Sequence, residues 1–218
     1  MKNREELVQK VTALVLENWE RLSTQPFQVP AGISARHVHL SREHVDMLFG
    51  TGYKLTPKKA LSQPGQFACE EQVAVWGPSG TFPKVRILGP ERTQSQVEMA
   101  FSDCRVLGIK ATVRSSGDLK GTPGILLKGP RGEVMLTEGV MVADRHIHMT
   151  PEDALWFGVF DRERVRVLVP GPKGGELGQV LIRVTGNSRL DFHVDTDDAN
   201  AFQIKQGQWV TIRKEEAR

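Results

Sequence analysis

Apolar and polar positions follow two different periods along the chain, and they divide it into a short helical part and a long β-rich part. In residues 3–23 the apolar side chains recur at helical spacing, which predicts an amphipathic helix: Leu7, Val11, Leu14, Val15 and Leu22. After Pro30, short β-rich runs alternate with Gly/Pro turns, as in VAVWGPSG, KVRILGP and RVRVLVPGPKGG. This second pattern predicts a mainly β protein built of barrels or sandwiches, with few helices.

Three short segments of the β-rich part are predicted to be helical: residues 41–50, 150–157 and 197–204. The second of them begins with a clear signal, since Thr150 can cap the helix and Pro151 suits its first turn. The first and second helices each follow directly on a short motif that occurs twice.

That motif reads RHVHLS at 36–41 and RHIHMT at 145–150. Side chains alternate along a strand, so the two histidines of each copy point to one side. Each copy is followed by a helical segment, a hairpin and a polar residue, with a slip of one residue near the end. The repeat predicts two β-barrel subdomains, 27–116 and 117–218, behind the N-terminal helix of 1–26.

Each histidine pair needs a third ligand to hold a metal ion. Glu98 follows the first pair at the position where His193 follows the second. The sequence therefore predicts two Zn²⁺ ions per chain where the barrels meet, one on His37, His39 and Glu98 and the other on His146, His148 and His193. Three protein ligands leave one position of a tetrahedral zinc open, which is typical of catalytic sites. His44 is left over and is predicted to be solvated.

Three arginines lie close to these ligands. Arg36 and Arg145 directly precede the histidines, where structural ion pairing and a functional role both stay open. Arg92 lies in the turn LGPERT shortly before Glu98, and a guanidinium there could bind phosphate or a carboxylate through two parallel hydrogen bonds.

Bulk composition narrows the functional classes. The 218 residues carry a formal net charge of +3, with Lys and Arg scattered along the chain, which argues against a nucleic-acid partner. No apolar run approaches the ~20 residues that span a bilayer, and no secretory signal is expected. The two cysteines, Cys69 and Cys104, fit buried thiols in a reducing compartment.

Longer motifs around these residues resemble the PduL-type phosphate propanoyltransferases, the phosphotransacylases of bacterial microcompartments. The similar segments are SARHVHLS, KKALSQPGQFACEEQV, KVRILGPERTQSQVE, GDLKGTPGI, ADRHIHMTPEDAL and FHVDTDDANA. The resemblance implies two β-barrel subdomains with a dinuclear zinc site between them. It implies the same six metal ligands, a catalytic Arg92 that binds phosphate, and coenzyme A contacts along Ile33, Ser34, Ala35, Lys59, Arg86, Leu88 and Asn200.

The resemblance also implies a reaction and a location. The reaction is the reversible conversion of a short-chain acyl-CoA, above all propanoyl-CoA, and phosphate into acyl phosphate and CoA, as in propanediol degradation. The location is the microcompartment lumen, with residues 3–23 as an encapsulation peptide that binds shell or core proteins. That helix could instead pack on its own domain or on a partner subunit of a homo-oligomer.

Two other functions stay open at this point. A zinc-dependent acyl-CoA thioesterase would use the same ligands, with water in place of phosphate. A non-catalytic, zinc-stabilised shell-associated protein would need the ligands only for folding, although the open fourth position at each zinc argues against it.

Overall fold

The computed structural model describes residues 27–214, together with Gln9 and Thr12. The predicted helix of residues 3–23 lies outside the described residues apart from those two. Strands dominate the described part, at β1 (Gln28–Ser34), β2 (His37–His39), β3 (Pro57–Ala60), β4 (Phe67–Trp76), β5 (Thr81–Gly89), β6 (Gln96–Glu98), β7 (Val113–Arg114), β8 (Ile125–Lys128), β9 (Glu133–Leu136), β10 (Val140–Ala143), β11 (His146–Met149), β12 (Arg164–Val169), β13 (Gly175–Val184), β14 (Asp191–Asp195) and β15 (Trp209–Arg213). The helices are α1 (Arg42–Phe49), α2 (Phe101–Leu107), α3 (Pro151–Phe157) and α4 (Thr196–Phe202). The prediction of a mainly β fold with short helices is confirmed.

One of the two sheets is a closed barrel. Its six strands follow the order β1, β14, β11, β13, β12, β15. Their inward-facing side chains, among them Ile147, Ile182 and Phe192, are fully buried in one apolar core. Closure removes the exposed sheet edges and holds β11 firmly between β13 and β14.

The other sheet has nine strands and is not closed. Its order is β7, β10, β6, β2, β5, β4, β8, β9, and β3 pairs with β4 at the side. Its core includes Val38, Ile87, Val97 and Leu127, all with no exposed surface. This half therefore differs from the prediction of a second barrel, since its end strands β7 and β9 do not pair with each other.

The hydrogen-bonded sheets do not divide the chain at residue 116. Strand β1 belongs to the C-terminal barrel, where it pairs with β14 and β15. Its buried Val29 and Ala31 pack into the barrel core. Strands β8, β9 and β10 return to the N-terminal sheet and bury Ile125, Leu127 and Val134 there. Strand β1, from the N-terminal half of the chain, thus completes the core of the C-terminal barrel. Strands β8 to β10, from the C-terminal half, complete the core of the N-terminal sheet.

The helices predicted around 41–50, 150–157 and 197–204 are present, and one further helix was not predicted. Thr150 caps α3, since its hydroxyl accepts a hydrogen bond from the Asp153 amide at 3.1 Å. The helix that was not predicted is α2, which begins at Phe101 within a run that the sequence pattern indicated to be β-like. Asp103 accepts a hydrogen bond from the Ala100 amide at 3.3 Å, which supports the start of this helix.

The helices of the described residues are short, the longest being the eight residues of α1. Within this part of the chain no helix has the length and apolar character needed to cross a membrane.

Candidate metal centres

The first predicted ligand set comes together on three neighbouring strands. Strand β2 lies between β5 and β6, and His37 stands directly opposite Glu98 in the antiparallel pair. His37 Nε2 is 3.5 Å from Glu98 Oε2, and His39 Nε2 is 3.8 Å from Glu98 Oε1. One ligand atom from each residue lies within 4.8 Å of the other two. The three side chains therefore form a compact group of the size that one metal ion needs.

The second set repeats this arrangement in the barrel. Strand β11 lies between β13 and β14, and His146 stands opposite His193. His146 Nε2 and His148 Nε2 are 3.1 Å apart, and one nitrogen of His193 completes a group within 4.8 Å. In both halves the His-x-His strand has a parallel neighbour on one side and an antiparallel neighbour with the third ligand on the other.

Backbone carbonyls orient three of the five imidazoles. The Nδ1 atoms of His37, His39 and His146 lie 2.8, 3.1 and 2.7 Å from the carbonyl oxygens of residues 35, 88 and 144. A carbonyl oxygen can only accept, so Nδ1 carries the proton in each ring. The lone pair is then on Nε2, which faces the other ligands. Such a second hydrogen bond is the usual companion of a metal-binding histidine.

His193 is oriented by a carboxylate instead. Asp191 is two residues away on β14, and its Oδ2 is 2.9 Å from His193 Nε2. Asp191 is buried, with 5% of its surface exposed. Ser62 Oγ lies 3.4 Å from the same nitrogen and comes from the loop between β3 and β4.

Charges inside the first group favour an ionised carboxylate. Burial alone would raise the pKa of Glu98, but the neighbouring His37, His39 and Arg92 hold it well below its usual range. Burial alone would lower the pKa of His37, yet the Glu98 carboxylate outweighs this effect and the pKa is raised. Burial, aided by the charges of His37 and Arg92, lowers the pKa of His39 to about 3.

Two imidazoles of the second group, those of His146 and His148, stay neutral at physiological pH. Burial is the main reason that the pKa of His146 falls to about 4. Burial also lowers the pKa of His148, and the nearby rings and Arg183 add to that effect. Neutral imidazoles with free lone pairs are the form that binds a metal cation.

Arg92 joins the first group through a polar network. Its Nη1 donates to Ser116 Oγ at 2.9 Å, and Ser116 Oγ donates to Glu98 Oε1 at 3.2 Å. The Gln96 amide donates to both Ser116 Oγ and Glu98 Oε1, at 2.7 and 2.5 Å, while its oxygen accepts from the Gly117 amide at 3.1 Å. Gln96 is 1% exposed. The network ties the Arg92 turn and the loop after β7 to the Glu98 carboxylate.

Both ligand groups open into one cavity of about 840 Å³. A space of this size is within the range of small-molecule and cofactor sites. Of the predicted coenzyme A contacts, six line it, namely Ile33, Ser34, Ala35, Lys59, Arg86 and Leu88. Asn200 does not line the cavity; it lies exposed on α4. Arg92 lines the cavity together with all six candidate ligands.

The chain matches a family model described as phosphate propanoyltransferase over residues 30–205. This span includes both ligand groups and every residue that lines the cavity except Gln206. The chain belongs to the phosphate propanoyltransferase family. A phosphate propanoyltransferase of Thermotoga maritima is 48% identical over 199 residues, which cover 91% of this chain and 94% of that protein. Proteins of the same name from Rhodobacter capsulatus and Enterococcus faecalis are each 45% identical, over 95% and 94% of this chain and 97% and 96% of their own lengths.

Membership in this family confirms the predicted enzyme class, a phosphotransacylase among the acyltransferases. The predicted resemblance to phosphate propanoyltransferases is confirmed as well. Residues 1–29 and 206–218 lie outside the family match.

Gln96, Ser116 and Arg183 are among the residues that line the cavity but were not predicted from the sequence. Gln96 could have been found, since it stands two positions before Glu98 on the same strand face. Ser116 gives no such signal, because it lies in a turn-rich loop. Arg183 stands opposite His148 in the parallel pair of β11 and β13, and strand register between distant segments is invisible in a single sequence.

The other side chains noted in the sequence have structural partners. Arg36 pairs with Asp103 at 2.6 Å, and Arg145 pairs with Asp198 at 3.0 Å, so ion pairing accounts for both. His44 is not simply solvated: its Nδ1 is 2.7 Å from Ser95 Oγ. The two cysteines are buried as expected, and burial raises the pKa of Cys69 to about 12 and of Cys104 to about 11.

Proposed function

We propose that this chain converts a short-chain acyl-CoA, propanoyl-CoA in the first place, and phosphate into acyl phosphate and CoA, reversibly. The observation that carries the proposal is the joint cavity, into which two three-residue ligand groups and Arg92 all open. The relatives named phosphate propanoyltransferase support the choice of phosphate and a propanoyl group.

We further propose two zinc ions as the metal content. His37, His39 and Glu98 would hold one, and His146, His148 and His193 would hold the other. The donors fit: imidazole nitrogens and one carboxylate suit zinc, and three protein ligands leave a position for substrate. When bound, the ions supply positive charge for a developing oxyanion and a site for the leaving thiolate.

The chain's own groups bind and orient the reactants. Arg92 binds phosphate through its guanidinium, which the hydrogen bond to Ser116 holds in place. Gln96 fixes Ser116 and Glu98 relative to each other, so that phosphate approaches the thioester carbonyl from a defined side. The lining from Ile33 to Ala35, together with Lys59, Arg86 and Leu88, is the proposed coenzyme A path. Asn200 is kept as a coenzyme A contact on the resemblance alone.

The two halves are proposed to descend from one repeated unit. The same strand pairing surrounds each His-x-His motif. In each half, the strand that carries the third ligand is followed by a helix, and an aspartate of that helix forms an ion pair with the arginine that precedes the two histidines. The subdomains 27–116 and 117–218 are proposed as the units of the repeat, although strands are exchanged between their sheets.

A microcompartment lumen is the proposed location, with residues 3–23 as an encapsulation peptide for shell or core proteins, and a homo-oligomer is the proposed assembly. These statements rest on the resemblance to the PduL-type enzymes and on the apolar stripe of residues 3–23.

Thioester absorbance tests the reaction directly. Zinc-loaded protein is mixed with propanoyl-CoA in the presence and absence of phosphate, and the reverse reaction is run with propanoyl phosphate and CoA. We expect loss of the thioester only with phosphate, and recovery in reverse. Loss without phosphate would instead identify a thioesterase, and no loss with any short acyl-CoA would leave a structural role.

Replacing Arg92 tests its phosphate role separately. We expect Arg92→Ala to raise the KM for phosphate about 10- to 100-fold, as befits the loss of hydrogen bonds between charged groups, with unchanged zinc content. Arg162→Ala is the control, because that side chain is 90% exposed. An unchanged phosphate KM in Arg92→Ala would rule out the role.

A further inference from the structure

Arg183 lies at the second ligand group without being one of its ligands. It is on β13, directly opposite His148 in the parallel pair with β11, and it lines the cavity. Its charge lowers the pKa of His146 and His148, although burial is the larger cause for both. It also contributes to the lowered pKa of Arg92, for which burial is again the larger cause. Arg183 therefore lies beside the strand of the three-histidine group and lines the same cavity as Arg92.

Arg183 differs from the other arginines of the cavity in its partners. Arg36 pairs with Asp103, Arg86 donates to the carbonyls of residues 69 and 70, and Arg92 donates to Ser116. Within residues 27–214, no carboxylate lies within 4.0 Å of the Arg183 guanidinium, and no side chain or carbonyl there accepts a hydrogen bond from it. Its side chain is half-buried. A partly desolvated cation of this kind is costly unless an anion joins it.

The surrounding charges favour an anion at this point. Arg92 is a second cation that lines the same cavity. The Glu98 carboxylate already has close partners, since its oxygens lie 3.5 Å from His37 Nε2 and 3.8 Å from His39 Nε2. A tetrahedral phosphoryl group has enough oxygens to accept hydrogen bonds from two guanidinium groups at once.

We propose that Arg183 binds the phosphoryl group of the substrate jointly with Arg92, so that Arg183 of the barrel and Arg92 of the turn after β5 hold the same anion. This inference rests on the proposed function and adds a second phosphate-binding residue to it. The two sheets then close on phosphate from both sides, and phosphate binding depends on how they sit relative to each other. The anion is inorganic phosphate in one direction of the reaction and acyl phosphate in the other.

The test uses zinc-loaded full-length protein and the variants Arg183→Gln and Arg183→Lys. Arg162→Gln is the matched control, because it removes the same charge from a side chain that is 90% exposed. Initial rates give the KM for phosphate and for propanoyl-CoA. Calorimetric titration with inorganic phosphate, without acyl-CoA, gives the affinity independently of turnover.

We expect Arg183→Gln to raise the phosphate KM and weaken calorimetric phosphate binding by about 10- to 100-fold, as the loss of hydrogen bonds to a charged group requires. The KM for propanoyl-CoA should stay within about twofold, since uniform binding of that substrate is untouched. The phosphate KM and affinity of Arg183→Lys should fall between those of Arg183→Gln and of the unmodified protein, because an ammonium keeps the charge but cannot form two parallel hydrogen bonds. Arg162→Gln should match the unmodified protein.

Other results would overturn the inference. Unchanged phosphate KM and affinity in Arg183→Gln would do so, and a rise confined to the KM for propanoyl-CoA would assign Arg183 to coenzyme A instead. If Arg183→Gln does not fold, Arg183→Lys decides, and values equal to the unmodified protein would overturn it. If the unmodified protein shows no phosphate-dependent reaction, the proposed function fails. Calorimetry then decides alone, and equal phosphate affinity in the protein and Arg183→Gln would overturn this inference as well.

Discussion

A methyl group at Gly32 is expected to destabilise the barrel at the second ligand group. Gly32 lies on β1 beside His193 in the parallel pair with β14. A Cβ atom there would be 2.9 Å from His193 Cδ2 and 3.1 Å from both carboxylate oxygens of Asp191. Asp191 is buried and bonded to His193, so neither side chain can move away without breaking that contact.

The size of the effect follows from a comparison with Gly178 on β13. A Cβ atom at Gly178 meets no atom within 4 Å. Both Gly→Ala changes reduce the freedom of the unfolded chain, which stabilises by about 0.4–1 kcal/mol where the backbone permits it. Overpacking at Gly32 adds a cost of about 1–3 kcal/mol. We therefore expect Gly32→Ala to have a free energy of unfolding about 1–3 kcal/mol below that of Gly178→Ala.

Urea unfolding of the metal-free variants measures this difference, and thermal unfolding provides a second measurement. For a chain of this length the difference corresponds to a Tm about 2–12 °C lower in Gly32→Ala. Zinc titration should also show weaker binding at one of two sites, because the methyl group displaces His193. Equal unfolding free energies and equal zinc binding in the two variants would show that β1 does not pack against His193 and Asp191 as described.

Two further predictions concern the ligand groups. Gln96→Leu removes the amide that donates to Glu98 and Ser116, so we expect about 1–3 kcal/mol of destabilisation and weaker zinc binding at the first group alone. Urea unfolding measures the destabilisation and zinc titration measures the affinity. An unchanged zinc affinity would contradict this prediction. The folded pKa of His39 and His146, about 3 and about 4, lies below the unfolded value of 6.5. The unfolded chain binds protons first as pH falls below 6.5, so these residues should each reduce the stability of metal-free protein by up to about 1.4 kcal/mol per pH unit, until pH nears the folded pKa. Unfolding curves between pH 7 and 4 measure this loss, and replacing His39 by Gln should make the curve shallower; identical slopes would refute the assignment.

Local patterns in the sequence were sufficient for the ligand groups. Side chains alternate along a strand, so a His-x-His motif presents both rings to one side wherever that strand lies. The repeat then pointed to Glu98 and His193 as third ligands, and the structure places each opposite the first histidine of its motif. Helices with a clear capping residue, such as α3 after Thr150, were equally visible, because capping depends on neighbours three residues apart.

Helix α2 shows where local patterns were insufficient. The run from Glu98 to Asp103 was interpreted as β-like, yet the chain turns into a helix after residue 100. Arg36, between β1 and β2, forms an ion pair with Asp103 at 2.6 Å, and Asp103 in turn accepts a hydrogen bond from the Ala100 amide. A contact between residues 67 positions apart decides this element, and no window of sequence contains it.

The sequence by itself determined which residues can bind metal, since spacing along a strand sets the direction of neighbouring side chains. Only the tertiary structure decided how the strands are shared, with β1 in the barrel and β8 to β10 in the open sheet. It also decided that Ser116 and Arg183 line the cavity. The loop after β7 brings Ser116 to Arg92, and the register between β11 and β13 places Arg183 opposite His148. Those placements depend on which apolar faces bury one another in two separate cores, a property of the whole chain rather than of any short motif.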